Sequence, residues 1–126
     1  MTLIQEEIPK DLYSQCVAVI LLNQTRGSQV RRIIFDFLEK YPNPDKFLSE
    51  SPVIMKWLIK PLGLGERRYS NLLGMVSVIY YEVPIKEYTE IPGIGKYGSD
   101  SLKIFIDGRL DIEVEDKELK AYLERK

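Results

Sequence analysis

The sequence predicts an all-α fold, a single compact helical domain over residues 1–126 with about seven or eight short helices around one core. Three observations carry this. Apolar residues recur at helical spacing in every long periodic segment. A capping residue followed directly by proline twice cuts the chain into helix-sized pieces. The one alternating stretch, Leu110 to Val114, has no second strand to pair with.

The first helix is expected from near Pro9 to near Gln24. Leu12, Cys16, Val19, Ile20 and Leu22 keep its period, and their neighbours are apolar enough to make it the buried central strut. Ser28 is the expected N-cap of a second helix, with Val30, Ile33, Ile34, Phe37 and Leu38 as its apolar stripe and Arg31, Arg32, Asp36 and Glu39 facing water. Tyr41-Pro42-Asn43-Pro44 stops it. Asn43 before Pro44, and Ser51 before Pro52, each cap a short helix. Residues 60–65 form a loop rich in breakers. From Glu66 to about Tyr81 the positions of Tyr69, Leu72, Leu73, Val76, Ile79 and Tyr80 are helical despite Gly74. Pro84 opens a further helix, Ile85 to Thr89, then a glycine turn leads into a helix ending near Ile106, and a last helix starts around Glu115.

A chain of 126 residues with 44% hydrophobic and 29% charged side chains can bury a sizeable core without disulfide or metal staples. Cys16 lies in an apolar run, so it packs as a small hydrophobe. With one cysteine and no histidine, no metal site and no other cofactor is expected. No apolar run approaches the length that spans a bilayer, so no membrane partner is expected. The N-terminus lacks a basic start followed by an apolar core. An intracellular home, cytoplasm or nucleoid, or nucleus in a eukaryotic source, is therefore expected, as is a monomer.

The stretch Ile91-Pro92-Gly93-Ile94-Gly95-Lys96-Tyr97-Gly98 carries the chemistry. Gly93 and Gly95 permit positive φ and close approach of another backbone. The helix that follows offers unsatisfied N–H groups and a dipole that favours an anion. Lys96 adds a cation at that end, so a phosphate is the natural occupant and double-stranded DNA the expected partner. The net charge of −1 argues against tight binding, since phosphate neutralisation supplies most non-specific affinity. Arg26, Arg31, Arg32, Lys60, Arg67, Arg68 and Lys103 fall near turns of the chain, so weak and salt-sensitive binding is predicted.

Hydrophobic-Pro-Gly-hydrophobic-Gly, a helix, and Glu115-Asp116 about twenty residues on resemble the signature of the helix-hairpin-helix DNA glycosylase superfamily, with the hairpin over about 84–106. Further blocks fit in the same order: Leu3-Ile4-Gln5-Glu6, Leu22-Asn23-Gln24-Thr25, Phe37 to Pro42 and Lys60 to Leu64. They narrow the resemblance to the branch of thymine/uracil mismatch glycosylases associated with a methyl-CpG-binding domain.

The resemblance implies a role for each site residue. Asp116 is the catalytic carboxylate, stabilising the oxocarbenium-like sugar and activating a water. Taken by itself, Asp116 reads first as the cap of the last helix; the ordered blocks reverse that weighting. Gln5 and Tyr97 hold the flipped base. Gln24 fills the gap the base leaves, where the resembled branch has Arg, and weaker contact with the orphaned guanine follows. Leu64 wedges the opposite strand, although an ordinary loop anchor fits that residue equally. Pro92, Gly93, Gly95 and Lys96 hold the backbone. Bifunctional members carry a lysine nucleophile where this chain has Tyr97, which implies an enzyme that leaves an abasic site uncut. Many members carry a four-cysteine iron-sulfur cluster, and this chain has a single cysteine, Cys16, too few for one. Glu118 departs from the basic residue of the resembled branch and sets a second carboxylate near Asp116. The expected activity is hydrolysis of thymine or uracil, or a damaged pyrimidine, opposite guanine. The alternative is a non-catalytic hairpin module that binds DNA backbone.

Overall fold

The computed structural model describes residues 2–126; Met1, the first residue of the expected domain, lies outside them. Eight α-helices and two short 3₁₀ turns are present, and there is no strand among the described residues. The helices are α1 Ile4–Glu7, α2 Leu12–Leu22, α3 Gly27–Lys40, α4 Pro44–Ser49, α5 Pro52–Ile59, α6 Gly65–Tyr80, α7 Lys96–Phe105 and α8 Lys117–Glu124. The all-α expectation holds, and Leu110 to Val114 runs without a ladder.

α2 is the central strut. Every residue from Tyr13 to Leu21 is buried, and α3, α6 and α7 pack around it. A helix apolar all round has no wet face, so it must be enclosed. It is shorter than expected: the Asp11 carboxylate accepts from Ser14 N–H at 3.0 Å and starts it, and Asn23 turns extended and ends it. α3 also starts early, at Gly27 after an extended Arg26, so Ser28 lies inside the first turn rather than capping it. Asn43 and Ser51 cap α4 and α5 as expected, accepting from Lys46 N–H and Val53 N–H.

The expected helix Ile85 to Thr89 is absent; a 3₁₀ turn at Tyr88–Glu90 replaces it. The Glu90 carboxylate accepts from the N–H groups of Lys86 and Glu87 and closes the segment into a short loop. Pro92 keeps Ile91 extended immediately afterwards. The hairpin thus consists of this turn, the loop and α7. Gly74 of α6 is part of its seat: a Cβ there would meet the Pro92 ring at 2.7 Å. A glycine that weakens the helix locally lets the hairpin lie flat on it.

A smaller cluster of Ile104, Phe105, Val114 and Leu119 fastens α8 to α7, with the Phe105 and Tyr122 rings 4.9 Å apart. Arg125, just after α8, reaches Glu6 of α1 at 3.2 Å. Both ends of the described chain therefore close around one side of α7.

Candidate functional site

A cavity of about 780 Å³ opens where those ends meet. α1 supplies Gln5, the turn after α2 supplies Asn23, Gln24 and Thr25, and α3 supplies Arg31. Tyr97 comes from the first turn of α7, and Asp116 and Glu118 from the start of α8. The volume suits a small organic ligand. Of the residues singled out in the sequence, Gln5, Tyr97, Gln24 and Asp116 are brought to this one wall; Leu64, Pro92, Gly93, Gly95 and Lys96 are not part of its lining.

Gln5 is buried and held against α7. Its Nε2 donates to the Tyr97 hydroxyl at 2.7 Å and to Ser101 Oγ at 3.2 Å, both on α7. With both amide protons used, Oε1 has no protein partner, and it is not among the sealed, unpaired polar atoms. It is left as an acceptor towards the cavity. Burial, reinforced by the carboxylates of Asp116 and Glu118, pushes the Tyr97 hydroxyl up to about 12, against the hydrogen bond from Gln5. Tyr97 therefore stays neutral and anchors Gln5. Gln15, fully buried on α2, donates to the carbonyls of Gln5 and Pro9 and fixes the backbone of α1.

Asp116 both caps α8 and faces the cavity. Its Oδ2 accepts from Leu119 N–H at 2.9 Å, so the carboxylate is tethered to the N-terminal end of a helix, where negative charge is favoured. At the cavity rim Arg31 is paired with Glu7 at 2.6 Å.

The hairpin presents a separate surface. Gly93 has φ +83° and lies against Ile20 and Asn71, so the fold itself requires glycine there. Gly95 does not take the expected positive φ: its φ is −100°, which any residue adopts, and no atom lies within 4 Å of a Cβ built on it. Nothing in the fold demands its missing side chain. The N–H groups of Gly95, Lys96 and Tyr97 have no acceptor among the described residues. Lys96 is tied to the buried Asp100 at 2.6 Å, and that carboxylate holds its ammonium above the usual value.

Gln24 lies in the turn between α2 and α3, and Leu64 immediately precedes α6. Both are exposed and both have left-handed backbone, φ 57° and 53°. Gln24 fills the third position of a turn closed by Thr25 N–H to Leu22 O, a place that normally takes Gly or Asn. The only other non-glycine residue of positive φ among those described is Glu82, where α6 terminates.

No family model matches the chain. The Arabidopsis thaliana methyl-CpG-binding domain protein 4-like protein is 31% identical over 121 residues, covering 95% of this chain and 27% of that protein. The Aeropyrum pernix thymine-DNA glycosylase is 32% identical over 93 residues, covering 69% of this chain and 42% of that enzyme. The solved structure of a thermostable thymine-DNA glycosylase superposes with a TM-score of 0.76 at 22% identity, over 91% of this chain and 55% of that one. The chain belongs to the helix-hairpin-helix DNA glycosylase superfamily.

It spans less than half the length of these two curated superfamily relatives. Within the superfamily fold, one residue takes a place that its sequence neighbourhood does not suggest. Arg68 stands beside Arg67 as if it were a further cation on the DNA side, but it is 3% exposed and lies inside the protein, bonded to backbone around α2 and α6. Its position on the buried face of α6, four residues before Leu72, is the signal that could have found it.

Proposed function

We propose that this chain is a monofunctional DNA glycosylase that extrudes thymine or uracil mispaired with guanine and hydrolyses its N-glycosidic bond. The observation that carries the reading is the fixed carboxamide of Gln5 in the same cavity as Asp116. Thymine and uracil carry an N3–H donor, which an oriented Oε1 accepts; cytosine has a bare N3 there, and two acceptors would face each other. A site built on one hydrogen bond rejects the base that cannot make it, because the buried acceptor is then left unpaired. A mispaired pyrimidine is also cheaper to extrude than a paired one.

As the glycosidic bond lengthens, positive charge builds on the sugar. The Asp116 carboxylate, held by Leu119 N–H, stabilises that charge and accepts a proton from the attacking water. The hairpin amides and the open face of Gly95 receive a phosphate, while Gln24 fills the vacated stack and Leu64 wedges the partner strand. Strand cleavage through a Schiff base needs an uncharged lysine amine facing the sugar. Tyr97 occupies that place, and Lys96 is held charged by Asp100 and is not part of the cavity lining, which supports a product left as an intact abasic site.

The test is base release from end-labelled duplexes carrying G·T, G·U, G·C or A·T at one position, analysed with and without alkali. Cleavage of the mismatched strands alone, and only after alkali, is the expected pattern. Breaks without alkali would overturn the monofunctional reading. Duplex binding with no base released from any substrate would leave a backbone-binding module.

A further inference from the structure

We propose that Arg68 is a positioning residue that locks the Gln24 and Leu64 loops into one rigid pair, so that both side chains enter a duplex as a unit. This rests on the glycosylase reading for its purpose, but not for its geometry.

The five N–H groups of a guanidinium point in fixed directions. In Arg68 all are engaged. Nε donates to Gly63 O at 3.0 Å, and Nη2 to Leu62 O at 3.1 Å, the two carbonyls that precede Leu64. Nη1 donates to Ile20 O at 3.2 Å, Leu21 O at 3.0 Å and Asn23 O at 2.8 Å, and Nη2 also to Thr25 Oγ1. Those acceptors flank Gln24 on both sides. Thr25 Oγ1 in turn donates to Asn23 O at 3.3 Å, closing a ring around the turn. One planar group thus bonds directly to both loops, which are some forty residues apart in sequence.

Two features mark this as more than a buried cation finding partners. No carboxylate among the described residues pairs with Arg68, so its acceptors are almost all main-chain carbonyls that define where the two turns run. Burial pushes the guanidinium down from its ordinary value, and arginine, unlike lysine, keeps its charge under that pressure. Second, Gln24 and Leu64 each hold a left-handed backbone that neither residue type favours. Such conformations persist only where the surroundings over-determine them. Among the described residues Arg68 is the one side chain hydrogen-bonded to both turns.

The experiment uses Thr25→Val, which removes the hydroxyl that accepts from Arg68 and donates to Asn23 O, and Arg68→Lys, which loses the fork. Amide hydrogen exchange is followed at Gly63 and Arg68, whose N–H groups bond to Lys60 O and Leu64 O in the other loop. Coupling predicts that Thr25→Val speeds exchange at these distant amides about tenfold, the equivalent of one lost hydrogen bond. Faster exchange confined to residues 22–25 would overturn the proposal, and it would do so even if Arg68→Lys does not fold. Base extrusion is then read from 2-aminopurine fluorescence beside a G·U pair. Thr25→Val is expected to lower the extruded fraction while affinity for a fully paired duplex is kept. Wild-type extrusion in the variant would refute the positioning role. If the wild-type protein extrudes nothing, the glycosylase reading fails instead, and the exchange result still decides whether the loops move together.

Discussion

Gly93 and Gly95 stand two residues apart in the hairpin, and replacing each by alanine should produce different consequences. At Gly93, φ is +83° and an added Cβ would stand 2.9 Å from Asn71 Cβ and 3.0 Å from Ile20 Cγ1. The left-handed backbone costs an L-residue roughly 1–2 kcal/mol, and forcing a methyl into a packed contact roughly 1–3 kcal/mol more. Gly93→Ala should therefore destabilise the domain by roughly 2–5 kcal/mol, or about 8–20 °C in melting temperature at this chain length. At Gly95 φ is −100° and there is no atom within 4 Å of the new methyl. Gly95 is the N-cap of α7, where glycine is preferred to alanine, so Gly95→Ala should cost only about 1 kcal/mol. The methyl does, however, stand beside the free amides proposed to receive a phosphate. Losing one or two charge-assisted hydrogen bonds there weakens duplex binding by roughly tenfold to a hundredfold. Urea unfolding and fluorescence anisotropy with a labelled duplex separate the two effects. A Gly95→Ala protein that binds like wild type would refute the phosphate grip, and one that unfolds as readily as Gly93→Ala would refute the reading of open space.

Tyr97→Phe removes the hydroxyl that accepts from Gln5 and leaves the carboxamide with Ser101 alone, so base release should slow by about tenfold with melting within a few degrees of wild type. Unchanged single-turnover release would show that Gln5 needs no such anchor. Stability should fall in acid. Glu50, which accepts from the Tyr41 hydroxyl and Ser51 N–H, and Glu7, which accepts from Arg31, both lie below their ordinary value of 4.5. So does Glu6: burial opposes the shift, but Leu3 N–H and Arg125 outweigh it. A carboxylate depressed in the folded state binds fewer protons than in the unfolded chain, so its contribution is present above 4.5 and is lost as pH falls through the folded value. Urea midpoints should be level from neutrality down to about pH 5 and decline below it; a midpoint flat through the carboxylate range would contradict these pairings.

Much of this fold is legible in the sequence because its signals are local. Asn43-Pro44 and Ser51-Pro52 are complete helix starts in two residues, and α3 announces its buried face by period alone. The cavity is legible only through the order of short blocks, because Gln5, Gln24, Tyr97 and Asp116 come from separate elements and only Tyr97 and Asp116 share a recognisable spacing. The remainder depends on tertiary contacts. The first hairpin helix is cut to a 3₁₀ turn, and the Glu90 carboxylate that bonds two amides beside it is a contact no period reveals. Arg68 has the look of a surface cation beside Arg67, and only a fold that brings two carbonyl-rich turns to it makes its burial tolerable. Gly74 reads as a helix defect until Pro92 is seen against it.

The central claim is that Asp116 performs the chemistry from this cavity, and single-turnover base release from one G·U duplex by wild type and Asp116→Asn tests it most directly. Asparagine caps a helix as well as aspartate does, so melting temperature and duplex affinity should hold, while the lost negative charge lowers the rate by at least about two orders of magnitude. An Asp116→Asn protein that releases uracil at the wild-type rate would contradict the account.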